Sequence, residues 1–498
     1  MPSLLRRFFS RKTFVRVAFV TVVLVTLLVT FVLEENWRGE RAWRSYSAEA
    51  RNAGVKLMLV DFLGPKVRDE QNFGAITMIR EIFRTHAAGE SSSNPFELPP
   101  PPQPEREAGA PQPEPPDLVK WRDHLVTIKF LDAAGPDPAR DVLRALERFE
   151  PALQQLRDAA KRPHSRLPVR WEDGFGALLP HLSLFQGATK IIGLRTRAHL
   201  AMGESAAAYA DFRDGLQLYR ALEREPVIIC GLVRISMLRM LENAIREGLA
   251  QNRWAEPELN ALTNDLGGLR LLEDYHFAFA SERGGMNQAI NAMVESPDGL
   301  LKATQAAAGT DAKAPVWARI VAPLYPRGWV RQNQVLMNRL FDERLARVNS
   351  TEGVVAAGRT ADEALRHIAG TGPIKRLYYF LANLFMPAFD HAEANYLAAH
   401  THAQQAQTAC ALERFRRAQN TYPEGLAALV PAHLPAIPKD VMDGGPLRYR
   451  RTADGGYELW SLGVNRVDDQ AATDPRKSQR DQPDWVWRLP AAARAEKS

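Results

Sequence analysis

The sequence predicts a mainly α-helical chain with an N-terminal transmembrane helix, an irregular antiparallel helical array and a small α+β module at the C-terminus. Three observations predict it. One apolar run near the start is long enough to cross a bilayer, apolar residues recur at helical spacing from Leu118 to about Asn420, and two strand-like runs near the end flank a glycine turn. At 498 residues, 45% hydrophobic and 24% charged, the chain is long enough to bury at least two hydrophobic cores.

Residues 1–13 form a basic segment, with Arg6, Arg7, Arg11 and Lys12 and no acid ahead of the apolar run. Residues 14–33 (FVRVAFVTVVLVTLLVTFVL) are the predicted transmembrane helix and the chain's contact with the lipid bilayer. The uncharged part, Val17 to Leu33, gives roughly 25 Å of helix at about 1.5 Å per residue. With its flanks it reaches across a hydrocarbon core of about 30 Å, and Arg16 can snorkel at the edge. The run ends in Leu33-Glu34-Glu35-Asn36-Trp37, with no small-x-small cleavage pattern, so a retained anchor is expected over a signal peptide. The cationic flank places the N-terminus in the cytoplasm, the span in the inner (cytoplasmic) membrane and the body on the periplasmic side. Trp37 and Trp43 suit the far interface.

Charge narrows the partner class. Of the formal +6, five come from Arg6, Arg7, Arg11, Lys12 and Arg16, which leaves +1 for everything after them. A body so balanced has no broad field for phosphates, and nucleic acid is not an expected partner. Two cysteines, Cys230 and Cys410, exclude a disulfide framework and any Cys-rich metal motif. Cys230, inside Ile228-Ile229-Cys230-Gly231-Leu232, reads as a small buried hydrophobe.

Beyond the span, residues 34–88 read as two juxtamembrane helices broken near Gly64-Pro65. Residues 89–117 carry ten prolines between Pro95 and Pro116 and read as an extended linker. Residues 118–384 form the predicted helical domain. Ile191, Leu194, Ala198 and Ala201 make one stripe, ending at Gly203. Phe212, Leu216, Tyr219 and Leu222 make the next, stopped by Pro226. Ile228, Leu232, Ile235, Leu238, Leu241 and Ile245 follow, then Leu259, Leu262, Leu266, Leu269 and Leu272 after Pro257. Short connections between them imply antiparallel neighbours. The pair around Gly203 resembles a tetratricopeptide-type hairpin, although no 34-residue period extends into its neighbours. The Ala-, Gly- and Thr-rich segments 299–315 and 349–362 read as loops or weak helices, with helix resuming at Arg331–Val348 and from Lys375.

In the last region, 385–498, a long helix from about Asp390 to Ala418 leads to Tyr422-Pro423, a short helix Glu424–Val430 and a proline-punctuated loop. Leu447–Arg450 and Tyr457–Ser461, joined by Ala453-Asp454-Gly455-Gly456, form a predicted hairpin, with Asp484–Trp487 as a third strand. Two strands alone are marginal in water, so the hairpin is expected to pack on the long helix. Tyr422-Pro423, Gly425-Leu426, Leu429, Pro438, Asp440, Gly445-Pro446, Tyr449 and Ser461-Leu462-Gly463 resemble the soluble domain of the major pseudopilin of type II secretion systems over about 80 residues. No prepilin-peptidase motif precedes the span, and Asn465-Arg466 stands where that family has Asp-Gly. The resemblance implies a structural calcium site, for which Asp440, Asp443, Asp468 and Asp469 are the candidate oxygen donors. As a whole the chain also resembles a group of uncharacterised single-pass bacterial envelope proteins, a likeness that implies no activity.

Other chemistry-bearing residues carry weaker patterns. His391 and His402 share a helix face but lie about 16 Å apart, and His400 and His402 point to opposite sides, so no first metal shell closes on that helix and surface histidines are expected. Ser461 lacks the first glycine of a nucleophile elbow, and Gly174-Phe175-Gly176 lacks the third of a dinucleotide fingerprint. Gly370–Lys375 is too short for a phosphate loop, and Asp123-His124 has no assignable nucleophile. The sequence thus assigns no catalytic residue and no cofactor beyond the candidate calcium. The expected function is a membrane-anchored, non-enzymatic scaffold or interaction protein with envelope proteins as partners. The alternatives are a component of a type II secretion-like apparatus and a membrane-tethered hydrolase whose residues converge only in three dimensions.

Overall fold

Helix α1 runs uninterrupted from Arg11 to Asn52 in the computed structural model, which describes residues 11–90, 94–102, 116–296, 299, 325–356, 363 and 372–489. It is long and apolar enough to cross a membrane, and its apolar side chains between Phe14 and Phe31 are exposed. Thr21, Thr26 and Thr30 donate their hydroxyls to carbonyls four residues back at 2.8–2.9 Å, so the span carries no unsatisfied hydroxyl. The helix stops where Gly54 takes φ +76°, a left-handed cap, and not at Gly64-Pro65 as the sequence suggested. After a series of 3-10 turns come α2 (Thr77–Ala87), α3 (Leu118–Thr127), α4 (Pro138–Leu146) and α5 (Glu150–Ala160). The array continues with α6 (His181–Ala201), α7 (Ser205–Ala221), α8 (Ile228–Ala250), α9 (Glu256–Gly267), α10 (Leu271–Glu295) and α11 (Arg327–Arg347). A two-stranded ribbon of β1 (Val348–Asn349) and β2 (Val354–Val355) precedes α12 (Pro373–Tyr378) and α13 (Phe380–Gln419). Strands β3 (Arg448–Arg451), β4 (Tyr457–Leu462) and β5 (Asp484–Leu489) close the described chain.

The chain divides into two units. One comprises residues 1–61, 283–343 and 359–388. Within it α1 and α11 cross with their backbones touching: a Cβ at Gly328 would lie 1.8 Å from the Glu35 carbonyl oxygen, and one at Gly39 2.2 Å from that of Gly328. The crossing is fixed by hydrogen bonds from Gly328 N–H to Asn36 Oδ1 (2.8 Å) and from Trp329 Nε1 to Glu35 Oε2 (3.0 Å). Trp43, Tyr46, Ala50, Leu57 and Val335 form an apolar core beside buried amides: Asn338 and Gln334 both donate to Asn287 Oδ1, at 2.7 and 3.1 Å. Near the end of the apolar run the Trp329 ring meets those of Phe31, Tyr325 and Tyr378 at 6.0, 5.4 and 5.1 Å.

The other unit comprises residues 62–282, 344–358 and 389–498. The sequence stripes become its core: Ile191, Leu194, Ala198, Phe212, Leu216, Tyr219, Ile235, Leu238, Leu241 and Ile245 are all buried. Gly203, at φ +79°, turns α6 into α7. Gly215 lets α7 approach α8, since a Cβ there would sit 2.6 Å from Leu241. The described start of the proline-rich stretch is packed, with Phe96 and Leu98 buried and Lys190 Nζ donating to the Leu98 carbonyl at 2.6 Å. The remainder of the expected linker, 91–93 and 103–115, lies outside the described residues, as does nearly all of 299–315.

The C-terminal sheet has the order β3-β4-β5, antiparallel throughout, with Arg448 opposite Trp460 and Trp460 opposite Val486. Every residue of the central strand β4 is buried. The sheet packs on the long helix as expected: Gln405 Nε2 of α13 donates to the Trp485 carbonyl at 2.6 Å. The segment expected as helix Glu424–Val430 is a 3-10 turn, Leu426–Leu429, held between Gly425 and the extended Val430.

Candidate functional site

Within the larger unit, a cleft of about 810 Å³ opens between three stretches of chain. The loop after Gly64-Pro65 supplies Lys66 and Arg68, the segment after α5 supplies Arg162 and Arg166, and the C-terminal end of α7 supplies Arg220 and Arg224. Asn72 ties the first two stretches together: its Nδ2 donates to the Arg166 carbonyl at 2.9 Å, its Oδ1 accepts Arg166 N–H at 2.8 Å, and its own carbonyl accepts Arg162 Nη1 at 2.8 Å. Gly74 is needed there, because a Cβ would fall 2.2 Å from the Arg166 carbonyl oxygen. At the end of α7 the exposed carbonyls favour the cations of Arg220 and Arg224. Six basic residues therefore line the cleft with two acidic ones, Glu223 and Glu225, among walls that include Phe73 and Trp171. A concave surface with an excess of one sign and apolar walls concentrates its field and attracts the opposite charge.

Glu225 lies in the floor of this cleft and is 8% exposed. Its carboxylate accepts the Leu167 backbone N–H, while Oε2 has no partner among the described residues, and burial pushes the group up to about 8. Close to it are His181, the first residue of α6, and Cys230, in the first turn of α8; ligand atoms of all three lie within 4.8 Å of one another. His181 is 1% exposed and its ring stacks on Phe83 at 5.4 Å. Neither of its nitrogens has a partner among the described residues, and burial pushes its pKa down to about 3. The Cys230 thiol, fully buried, is pushed up by burial and further by Glu225 and Glu282. A thiol held in that state is a poor nucleophile. An imidazole, a carboxylate and a thiol around one point can instead hold a metal.

The tail aspartates are gathered differently. Asp440, fully buried, accepts Ser461 Oγ (2.7 Å) and Met442 N–H (2.9 Å) on Oδ1, and Leu462 N–H (2.9 Å) and Arg448 Nη1 (2.6 Å) on Oδ2. Arg448 also donates to Asp443 at 2.7 Å and Asp468 at 3.1 Å. Three of the four calcium candidates thus converge on a guanidinium, which a calcium ion would have to displace. Asp469 turns away to accept Asn465 Nδ2 at 2.8 Å.

The remaining sequence candidates separate. His391 is exposed as expected, but His402 is 2% exposed, a correction: its face of α13 is covered, its Nδ1 pairs with Gln405 Oε1 at 3.0 Å, and burial with Arg246 and Arg239 lowers its pKa to about 3. On the same helix, Glu393 lies 3.0 Å from the Tyr275 hydroxyl and 2.9 Å from Arg344, in an ion-pair network. Ser461 serves Asp440. His124 bonds the Pro99 carbonyl at 3.2 Å, and Gly174-Phe175-Gly176 ends a 3-10 turn. Of Gly370–Lys375, Gly370 and Thr371 lie outside the described residues, and Pro373 to Lys375 open α12. Sequence reading missed His181, Glu225 and the basic cleft. The basic run Lys161-Arg162-Pro163-His164-Ser165-Arg166 was the one local signal for the cleft; nothing in spacing links His181 to residues more than forty positions away. No known protein family, curated protein or solved structure matches the chain.

Proposed function

We propose that this chain is a single-pass envelope protein of the inner membrane, with its N-terminus in the cytoplasm, whose periplasmic body acts as an adaptor that captures an acidic segment of a partner protein. The observation that carries the reading is the cleft, lined by six basic residues against two acidic ones and by apolar walls. An acidic peptide interleaved with apolar residues matches both the charge and the walls. The basic flank of α1 and the rings about Trp329, at the depth where aromatic side chains favour the membrane interface, support the anchoring and its orientation.

A labelled acidic peptide of alternating glutamate and tryptophan, titrated into the detergent-solubilised chain, tests the reading. Binding is expected to weaken as salt rises and to fall by about tenfold or more in an Arg68→Glu/Arg224→Glu double variant. Equal binding by the double variant would remove the cleft as the site. Protease added outside spheroplasts should digest the body; protection of the body in sealed cells would reverse the topology. A second reading, association with a type II secretion-like apparatus, draws on the tail, where a long helix leads through Tyr422-Pro423 to a small sheet whose central strand ends in Ser461-Leu462-Gly463. Co-purification of secretion subunits from solubilised envelopes is its test, and their absence after crosslinking counts against it.

A further inference from the structure

We propose that His181, Glu225 and Cys230 are ligands of one divalent transition-metal ion of the zinc class. The inference is independent of what occupies the cleft. The three residues come from separate places in the chain: the start of α6, the connection between α7 and α8, and the first turn of α8. Folding nevertheless brings their ligand atoms within 4.8 Å of one another, with all three residues buried. Tetrahedral zinc holds its ligands about 3.3–3.8 Å apart, so side-chain rotations of about 1 Å would close a shell.

Spacing and bonding together point to an atom between them. The groups are close, yet neither His181 nitrogen nor Glu225 Oε2 forms a hydrogen bond among the described residues. Buried polar atoms in folded proteins almost always find partners, so an imidazole and a carboxylate oxygen left without one, within 4.8 Å of each other and of a buried thiol, are a donor set with one atom from each residue. The donors also select the ion. Calcium and magnesium want many hard oxygens, whereas one nitrogen, one sulfur and one oxygen suit zinc.

Charge agrees with burial. A dication held by a thiolate, a carboxylate and a neutral imidazole is electrically neutral, the form least costly to bury. On binding, the metal–sulfur bond replaces the S–H bond, and the thiol proton passes to solvent, together with the carboxyl proton of any Glu225 that carries one. Glu282, whose carboxylate accepts the Ile228 N–H at 2.8 Å, raises the thiol pKa electrostatically and adds negative potential beside the site. Three protein ligands leave a fourth position, and Glu225 is also part of the cleft lining.

The test uses the untagged full chain in detergent, stripped with chelator and then loaded with zinc or cobalt alone. One zinc per chain is expected, with a thiolate-to-cobalt charge-transfer band in the cobalt form. Cys230→Ser should lose that band, and Cys230→Ser and His181→Asn should each weaken zinc by more than about tenfold, the scale of even an outer-shell loss. Circular dichroism verifies that the variants fold. Failure of the wild-type chain to retain zinc, or a cobalt spectrum without thiolate character, overturns the assignment with no variant needed. Buried water bridging the three groups would give that negative result.

Discussion

Asp440 organises the tail from a position with no exposure, accepting two backbone N–H groups, a hydroxyl and a guanidinium. Asp440→Ala should destabilise the protein by about 3 kcal/mol, because Arg448 and three donors lose their acceptor together; denaturant unfolding measures it. Since the guanidinium of Arg448 already sits among Asp440, Asp443 and Asp468, chelation of calcium should leave the melting temperature unchanged. A drop on chelation would restore the calcium site. Glu242 presents the opposite case, a buried carboxyl that burial pushes up to about 8 despite Arg239 and Arg246. Its folded value lies above the usual 4.5. The folded state therefore binds the extra proton, and stability is lost as pH rises from about 4.5 to about 8. Glu242→Gln should stabilise by an amount that grows between pH 5 and pH 8, to the order of 2 kcal/mol; a difference independent of pH would contradict the assignment. Asp440 and Ser461 stood out in the sequence through the tail motif. The role of Arg448, which bonds Asp440, did not, because a strand pattern fixes which face Arg448 is on but not which carboxylates its long side chain reaches.

Among the elements, α6, α7 and α8 were legible because each carries a single apolar stripe, with Gly203 following α6 and Pro226 following α7. The β3-β4 hairpin was legible through its glycine turn, where Gly455 takes φ +87°. α13 was not. Covered along several faces, it has no one-sided stripe, so its histidines read as exposed while the fold buries His402. The β1-β2 ribbon escaped notice because two residues per strand carry no alternation. The end of α1 was misplaced because Gly64-Pro65 is the louder breaker, while the actual stop is one left-handed glycine. Gly328→Leu tests the crossing of α1 and α11. With a Cβ only 1.8 Å from the Glu35 carbonyl oxygen the two backbones must part, and the variant should melt at least several degrees lower by scanning calorimetry. Gly54→Ala, at φ +76° in open space, should cost only about 1 kcal/mol.

Over the whole molecule, net charge concealed the most distinctive surface. A body at +1 reads as neutral, yet the fold collects six cations around one cleft. Summed charge is blind to such sorting, since residues 66, 166 and 224 become neighbours only through loops sewn together by Asn72. Reversing Arg68 and Arg224 should abolish the salt-sensitive part of acidic-peptide binding while leaving thermal stability nearly unchanged, because neither side chain is buried.

The 42-residue helix α1 has one further consequence. At about 1.5 Å per residue it is a mast of roughly 63 Å, of which about 30 Å suffices for the bilayer. The upper part is bolted to α11 at Gly39 and Gly328, and no swivel interrupts the shaft between lipid and protein. With the apolar run in a bilayer, as proposed, a tilt or axial turn of α1 would be passed along one rigid helix to the folded unit it carries.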